Sequence, residues 1–383
     1  MNFLLNKEQQ AIFEKAKSYS LECLAPVAVE LESDPELLKA KMKEIAEQGF
    51  YGLGIPKDMG GQGYNYLQMA LVYEGLAHGS GIMSFLLQLQ NNINMEIATF
   101  YDDTDPEILS VVPDLANGTK TTAFALTESA SGCDPSATNA YAELQGDFYH
   151  IQGKKDWITN AQDADYFNVM VKDGKDSKNM IMLFVPKETA GLKYLENRER
   201  LIGNGIIVGS LEFDNCMVPK KNLLSADGFK EALKAIDVAR VFTPAIAIGV
   251  AQHAVDSVSQ YLGTRESFGK PILTNQGVQW QIAEMTTKIE AARCLLYKTA
   301  AVMDSGEPVA FTAAMNKLFA TDVAMEVTVQ CAQLFGAEGF MKNSPISQAI
   351  AVAKMLQIVD GTTEIQKIVV GRAIARQYLP RTK

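Results

Sequence analysis

What this sequence lacks narrows it before any motif is read. It has little cysteine: Cys23, Cys133, Cys216, Cys294 and Cys331 stand singly among 383 residues, with no CxxC pair. That pattern argues against a disulfide framework or a cysteine-bound metal and points to a reducing compartment, read here as the cytoplasm. Basic charge is also short. Lys and Arg number 35 against 45 Asp and Glu, a formal net charge of -10, which weighs against nucleic acid or an anionic membrane as partner. No apolar run reaches membrane-spanning length. The opening MNFLLNKEQQ has no basic region followed by an apolar core, so no signal peptide is expected. Repeats and low-complexity segments are missing too.

What is present is a globular chain, 47% hydrophobic, long enough for two or three domains. Residues 1–120 read as helical. Asn6 with Gln9 forms a capping-box signature, and Ile12, Phe13, Ala16 and Tyr19 follow at helical spacing. The glycine-rich Gly52–Gly63 has neither Walker spacing nor GxGxxG, so it reads as a turn. Gln88–Asn94 is amide-rich for an apolar helix. Its amides either cap backbone groups or face a ligand pocket, Asn91 among them. Residues 121–228 read as β, with alternation at Phe167, Val169 and Val171 and again at Leu211 and Phe213. Gly203-Asn204-Gly205 is a near miss to a dinucleotide fingerprint with no helix after it. Residues 229–383 read as a helical bundle: Val278, Ile282, Met285, Ile289, Ala292 and Leu296 form one seam, and four long antiparallel helices are the natural solution.

The centre of the chain is Thr121–Asn160. A strand-length run, Ala123-Phe124-Ala125-Leu126, enters a turn-rich loop, Thr127-Glu128-Ser129-Ala130-Ser131-Gly132-Cys133-Asp134-Pro135. Such a loop can cradle an anion on backbone N–H groups without Lys or Arg. A second strand leads to Trp157-Ile158-Thr159-Asn160. Trp157 brings a flat face, and Thr127 and Thr159 bring short hydroxyls suited to a planar cofactor with a diphosphate tail. An ordinary hairpin with a buried Trp fits the same composition.

ALTESASGCD followed by WITN resembles the middle-domain signature of the acyl-CoA dehydrogenases, and the resemblance runs nearly the whole chain. Arg265-Glu266-Ser267-Phe268-Gly269-Lys270-Pro271-Ile272 resembles the family's RxxFGxPI, and Gln333-Leu334-Phe335-Gly336-Ala337-Glu338-Gly339 resembles its QxxGGxG, with Ala337 in place of a glycine. The resemblance implies an α+β multidomain fold: an N-terminal all-α domain, a middle antiparallel β-barrel domain and a C-terminal four-helix bundle. It implies FAD, held without a covalent bond by Phe124, Leu126, Thr127, Gly132, Cys133, Trp157 and Thr159. Arg265, Ser267, Phe268, Ile272, Asn275, Gln276, Gln333, Gly336, Thr362 and Glu364 complete that set, the Arg and Phe reaching across a subunit boundary. A guanidinium suits phosphate oxygens in a bidentate way. Cys133 stands where Ser is usual, a weaker donor; a catalytic thiol is the competing reading, with no His partner apparent.

The resemblance places the base that removes the α-proton at Asp360, within Ile358-Val359-Asp360-Gly361-Thr362-Thr363-Glu364-Ile365-Gln366, which resembles YEGTxxIQ. The family's alternative position is Ala239, which cannot serve. Without the family, Asp360 reads as a cap on the helix that follows. Cys133, Asp237, Arg240, Gly361 and Asn91 are the implied contacts to the acyl-CoA substrate. Asp in place of Glu costs about 1.5 Å of reach, one C–C bond. A closer substrate, a shifted backbone or an acyl group of different shape, ring-bearing or polar, each answers that loss. The resemblance further implies a homotetramer, or a homodimer, that passes electrons to an electron-transfer flavoprotein, with no metal, nucleic acid or membrane. An enoyl-CoA reductase running in reverse, a flavin oxygenase on the same fold and a non-catalytic acyl-CoA binding protein are the rivals.

Overall fold

In this computed structural model the described residues are 4–101 and 104–379. Helix α1 (Lys7–Tyr19) starts at the expected capping box: the Asn6 side chain accepts from the Gln9 N–H, and the Gln9 side chain accepts from the Asn6 N–H. Helix α2 (Pro35–Glu47) has Asp34 as cap and proline in its first turn. Gly52–Gly63 is a turn, as expected. A Cβ on Gly61 would lie 2.1 Å from the Ile55 carbonyl oxygen, so packing demands the glycine. Asn65 and Gln68 repeat the capping box at α3 (Tyr66–Ala77). Helices α4 (Gly81–Thr99), α5 (Pro106–Leu109) and α6 (Val112–Ala116) complete the N-terminal part.

The middle of the chain is a sheet of β1 (Thr122–Ala125), β2 (Tyr141–Gln145), β3 (Phe148–Thr159), β4 (Tyr166–Asp173), β5 (Met180–Pro186), β6 (Leu192–Asn197), β7 (Val208–Pro219) and β8 (Leu223–Ser225). Its order is β6-β7-β3-β2-β4-β5-β8, with β1 also beside β4. One detail differs from the expected antiparallel barrel: β1–β4 and β2–β4 pair parallel, the other pairs antiparallel. Strand β1 enters from the helical segment and not from a hairpin, and only a hairpin forces neighbours to run opposite ways. Alternate residues fill one core: Ala123 and Ala125, Phe167, Val169 and Val171, Ile181, Leu183 and Val185, Leu211 and Phe213. Strand β3 is continuous through Gly153. Its register shifts at Ile151/Gly153 and at Lys155/Ile158, and Trp157 lies inside the second shift with φ 62°. Such bulges re-aim side chains.

Helix α7 (Gly228–Thr264) leads through a two-stranded hairpin, β9 (Glu266–Ser267) and β10 (Lys270–Pro271), to α8 (Gln276–Asp304), α9 (Ala310–Phe335), α10 (Pro345–Ile358) and α11 (Thr363–Tyr378). Among the described residues this C-terminal helical domain carries five helices. The break between α10 and α11 falls where Asp360 (φ 55°) and Gly361 (φ 90°) both adopt left-handed backbone, which no helix carries. Met285, Ile289, Ala292 and Leu296 form a buried α8 seam. The small residues of α7 allow close approach: a Cβ on Gly249 would sit 2.3 Å from the Glu74 carbonyl oxygen. The chain divides into two compact units. One comprises residues up to Glu30, Asn65–Phe85 and the chain from Asp237 onward; the other comprises Leu31–Tyr64 and Leu86–Ile236.

Candidate active site

In the sheet-bearing unit, the end of β1 and the bulged end of β3 are sewn together by the Asp156 N–H donating to the Thr127 carbonyl at 2.8 Å. This brings Leu126, Thr127, Trp157 and Thr159 into one place, with Phe124 just before them on β1. Trp157 is 53% exposed, an unusual outlay of aromatic surface, and the Arg198 guanidinium lies 4.0 Å from its ring centroid. The hairpin reading with a buried Trp is thereby overturned: the bulge turns the ring outward.

The loop that follows is tied down by hydrogen bonds to Glu128 and Asp156. Glu128 accepts from Thr138, from the Asn139 and Ala140 N–H groups and from Lys155 at 2.9 Å. Lys155 is fully buried. Burial pushes the Glu128 carboxyl up, but Lys155, Thr138 and the Asn139 N–H outweigh it and hold it below the usual carboxylate range. Asp156 is likewise buried. Ser129, Ser210 and Lys154 overcome the burial penalty and bring it down to about 2, and Arg198 adds a contact at 3.1 Å. Both negative charges are neutralised locally, so they do not oppose an anion at the loop. A Cβ on Gly132 would meet nothing within 4 Å. The Ser131 hydroxyl is buried and has no partner among the described residues. An exposed indole, part-exposed threonine hydroxyls, a donor without a partner and an open glycine suit a planar group with an anionic tail. Cys133 is free and exposed.

In the other unit the hairpin presents Arg265 and Phe268 outward. Phe268 is completely exposed, with φ 53°; Ser267 and Ile272 are partly buried, Asn275 precedes α8 and Gln276 starts it. Tyr261 stacks on Phe335 at 4.6 Å, which draws the end of α9, with Gln333 and exposed Gly336, beside the hairpin's root. Ala337 is exposed. Thr362 and Glu364 open α11 on a groove of about 690 Å³ shared with Asp322, Gln330, Lys354 and Lys367. Thr362, and not Asp360, caps α11: its side chain accepts from the Ile365 N–H.

Asp360 is placed differently from a cap. Its Oδ2 accepts from the Thr243 hydroxyl at 2.6 Å, one turn along α7 from Arg240. Arg240 is held by Asp237 at 2.9 Å and reaches the Asp360 carbonyl at 3.4 Å. Gln366 donates to the Gly361 carbonyl at 2.7 Å. Lys317, fully buried, donates to the Gln357 and Gly361 carbonyls at 3.0 and 2.9 Å. Burial raises the Asp360 carboxyl above the ordinary range; Thr243, Lys317 and Arg240 pull against it. Asp237, Arg240 and Gly361 are therefore brought together with Asp360. Sequence reasoning missed Thr243, Lys317 and Gln366. Gln366 lay inside the quoted motif, and Lys317 was legible as a lone cation in the apolar run Ala310–Met325.

Helix α4 separates its amides by face. Asn91 is fully buried and spent on structure: it accepts from the Leu53 N–H and donates to the Phe50 carbonyl. Gln90 and Asn94 tie down Thr122. The expectation that Asn91 meets substrate is corrected, because both ends of its amide are engaged. Gln88 and Asn92, four residues apart, are buried with both amide atoms unpartnered among the described residues, and Glu96 extends the row with one such oxygen. Burial raises the Glu96 carboxyl to about 8. No group of three or more His, Cys, Asp or Glu among the described residues could hold a metal, and no described helix is long and apolar enough to cross a membrane.

Comparison with known proteins gives the family. Three family models match: "Acyl-CoA dehydrogenase, N-terminal domain" over residues 6–105, "middle domain" over 123–216 and "C-terminal domain" over 226–375. The chain is similar to Acryloyl-CoA reductase (NADH) of Anaerotignum propionicum, 33% identical over 98% of this chain and 97% of that protein. Among solved structures it resembles butyryl-CoA dehydrogenase from Megasphaera elsdenii, with TM-score 0.92 and 30% identity over 98% of this chain and 100% of that one. A chain from the structure titled "Electron transferring flavoprotein of Acidaminococcus fermentans: Towards a mechanism of flavin-based electron bifurcation" matches at TM-score 0.92 and 33% identity, over the same shares.

Proposed function

Since the chain belongs to the acyl-CoA dehydrogenase family, we propose that it is an FAD-dependent oxidoreductase that dehydrogenates an acyl-CoA thioester between its α and β carbons, with Asp360 as the base. The observation that carries this reading is the Asp360 carboxyl itself: on a left-handed turn, bonded to Thr243, not used as a helix cap, and raised by burial. A thioester α-proton is weakly acidic, and a carboxylate drawn away from water is a stronger base for it. Asp360 takes that proton on a carboxylate oxygen. Thr243 orients the other oxygen, and Arg240 and Gln366 fix the carbonyl side of the turn. FAD, when bound, supplies the acceptor for the β-hydride. Thr127, Ser131, Trp157, Thr159, Arg265, Phe268, Gln333, Gly336, Thr362 and Glu364 are the residues this reading assigns to the cofactor, with the hairpin serving a neighbouring copy in a homo-oligomer. Electrons leave to an electron-transfer flavoprotein.

The acyl group carries a hydrogen-bonding function. What supports this is the row Gln88–Asn92–Glu96: both amides and one Glu96 carboxyl oxygen are buried without a partner among the described residues, and such atoms nearly always have one. The similarity to an acryloyl-CoA reductase supports a second reading, the same chemistry run toward the saturated thioester. Anaerobic titration of the flavin-loaded protein with acyl-CoA thioesters tests the first: bleaching of the flavin by at least one thioester is expected. Bleaching by none, with reoxidation of reduced enzyme by an enoyl-CoA, selects the second.

A further inference from the structure

We propose that Lys317 is a positioning residue for the base: its ammonium group bolts the Asp360 turn to α9 and supplies the positive charge that keeps the carboxylate ionised. This rests on the reading of Asp360 as base. Three observations carry it. First, the Lys317 side chain is fully buried, yet its described hydrogen bonds go to main-chain oxygens and to no carboxylate. Its partners are the Gln357 carbonyl, in the last turn of α10, and the Gly361 carbonyl, just beyond the base. One ammonium therefore clamps the turn on both sides of Asp360. A helix C-terminus accepts a cation there because its last carbonyls have no intrahelical donor.

Second, the charges around it leave Asp360 as its foremost counter-charge. Arg240, from α7, repels it. Asp322, on its own helix, is engaged by the Gln357 side chain at 2.6 Å, and Glu364, on α11, is exposed. Asp360 is the first of the charged groups that favour the ammonium form; burial outweighs them and brings Lys317 down to about 8. Third, the turn needs a fastener. It places two successive residues in left-handed backbone, one of them not glycine, an arrangement that persists only when its surroundings hold it. Deletion of the Lys317 charge then has two separable effects. The turn loosens, which lowers the rate at every pH. The carboxyl also loses a favourable charge, so its proton is released at higher pH.

The test is the pH dependence of anaerobic flavin reduction by a saturating thioester, in wild type, Lys317→Met, Lys317→Arg and Asp360→Asn. Lys317→Met should move the acid limb up by about one pH unit, a roughly tenfold loss of rate on that limb, and Lys317→Arg should restore its position. On the alkaline side the wild type should decline above about pH 8, the Lys317 value. Lys317→Arg should not, because a guanidinium keeps its proton there. An acid limb in Lys317→Met that coincides with wild type overturns the proposal, whatever the plateau rate. If Lys317→Met fails to fold, identical alkaline limbs in wild type and Lys317→Arg overturn it instead. Failure of the underlying reading looks different: Asp360→Asn would then reduce its flavin at the wild-type rate.

Discussion

The Thr243 hydroxyl donates to Asp360 Oδ2 at 2.6 Å, joining α7 to the turn between α10 and α11 across 117 positions of sequence. A donor to the ionised form favours that form, so Thr243 works against the burial that raises the carboxyl. As the proposed base, Asp360 acts when ionised, so the rate should fall as pH drops through its raised value. Thr243→Val removes the donor and raises that value further. The acid limb of flavin reduction should move upward, by about one to two pH units if the bond is of the charged kind worth about 1.5–3 kcal/mol. Stopped-flow reduction traces across the pH range measure it; an unmoved limb removes Thr243 from the mechanism.

Asp360→Ala should retain FAD, since Asp360 is not among the proposed cofactor contacts. Its thioester-driven bleaching should slow by at least about a hundredfold, the lower range for loss of a positioned base. Visible absorbance of the isolated variant reports the first property and anaerobic mixing the second.

The Lys155–Glu128 pair gives a stability prediction. Both side chains are buried at 2.9 Å. Lys155→Met strands a buried carboxylate and should cost about 3–5 kcal/mol, read by denaturant unfolding. In wild type, Glu128 sits below its unfolded value, so its contribution is complete above the ordinary carboxylate range. It is lost as pH falls through the depressed value. An acid titration of Trp fluorescence should lose that transition in the variant.

Asn92→Leu should leave stability nearly unchanged or improved, because a buried amide with no partner among the described residues is replaced by an apolar group of similar size. With a thioester panel, the ratio of rates for plain over hydroxyl- or amide-bearing acyl groups should rise about tenfold or more. Equal loss with every thioester would instead place the row against a part common to all of them.

Phe268→Ala should not destabilise the isolated fold, since the ring is completely exposed, and surface changes of this kind stay within about 0.5 kcal/mol. FAD retention and subunit association should fall together, followed by absorbance during size-exclusion chromatography. Independent behaviour of the two would remove the hairpin from a shared site.

Much of this architecture was legible in the chain. The capping box at Asn6, period-two alternation in β4 and β7, and the α8 seam are local signals, each set by neighbours a few residues away. What stayed hidden is what depends on distant partners. The parallel placement of β1 is set by the direction from which the chain arrives. The outward Trp157 follows from a bulge, a register event with no residue type of its own. Gln88 and Asn91 are alike on the page; only the packing of α4 assigns Asn91 to structure and leaves Gln88 without a partner among the described residues. Thr243 and Lys317 lie 117 and 43 positions from Asp360, and no motif spans such gaps.

The residue after Asp360 is a glycine with φ 90°, and a Cβ there would lie 2.8 Å from the Gln366 amide nitrogen and 3.1 Å from an Arg240 guanidinium nitrogen. The site therefore keeps an Asp-Gly pair, whose unhindered amide nitrogen is the one best able to attack the neighbouring carboxyl and close a succinimide ring. Aged enzyme should accumulate an isoaspartyl linkage at this bond and lose activity without unfolding. An Asn-Gly replacement cyclises faster still and hydrolyses partly back to aspartate, so Asp360→Asn must be assayed fresh, and activity that grows on storage is chemical reversion.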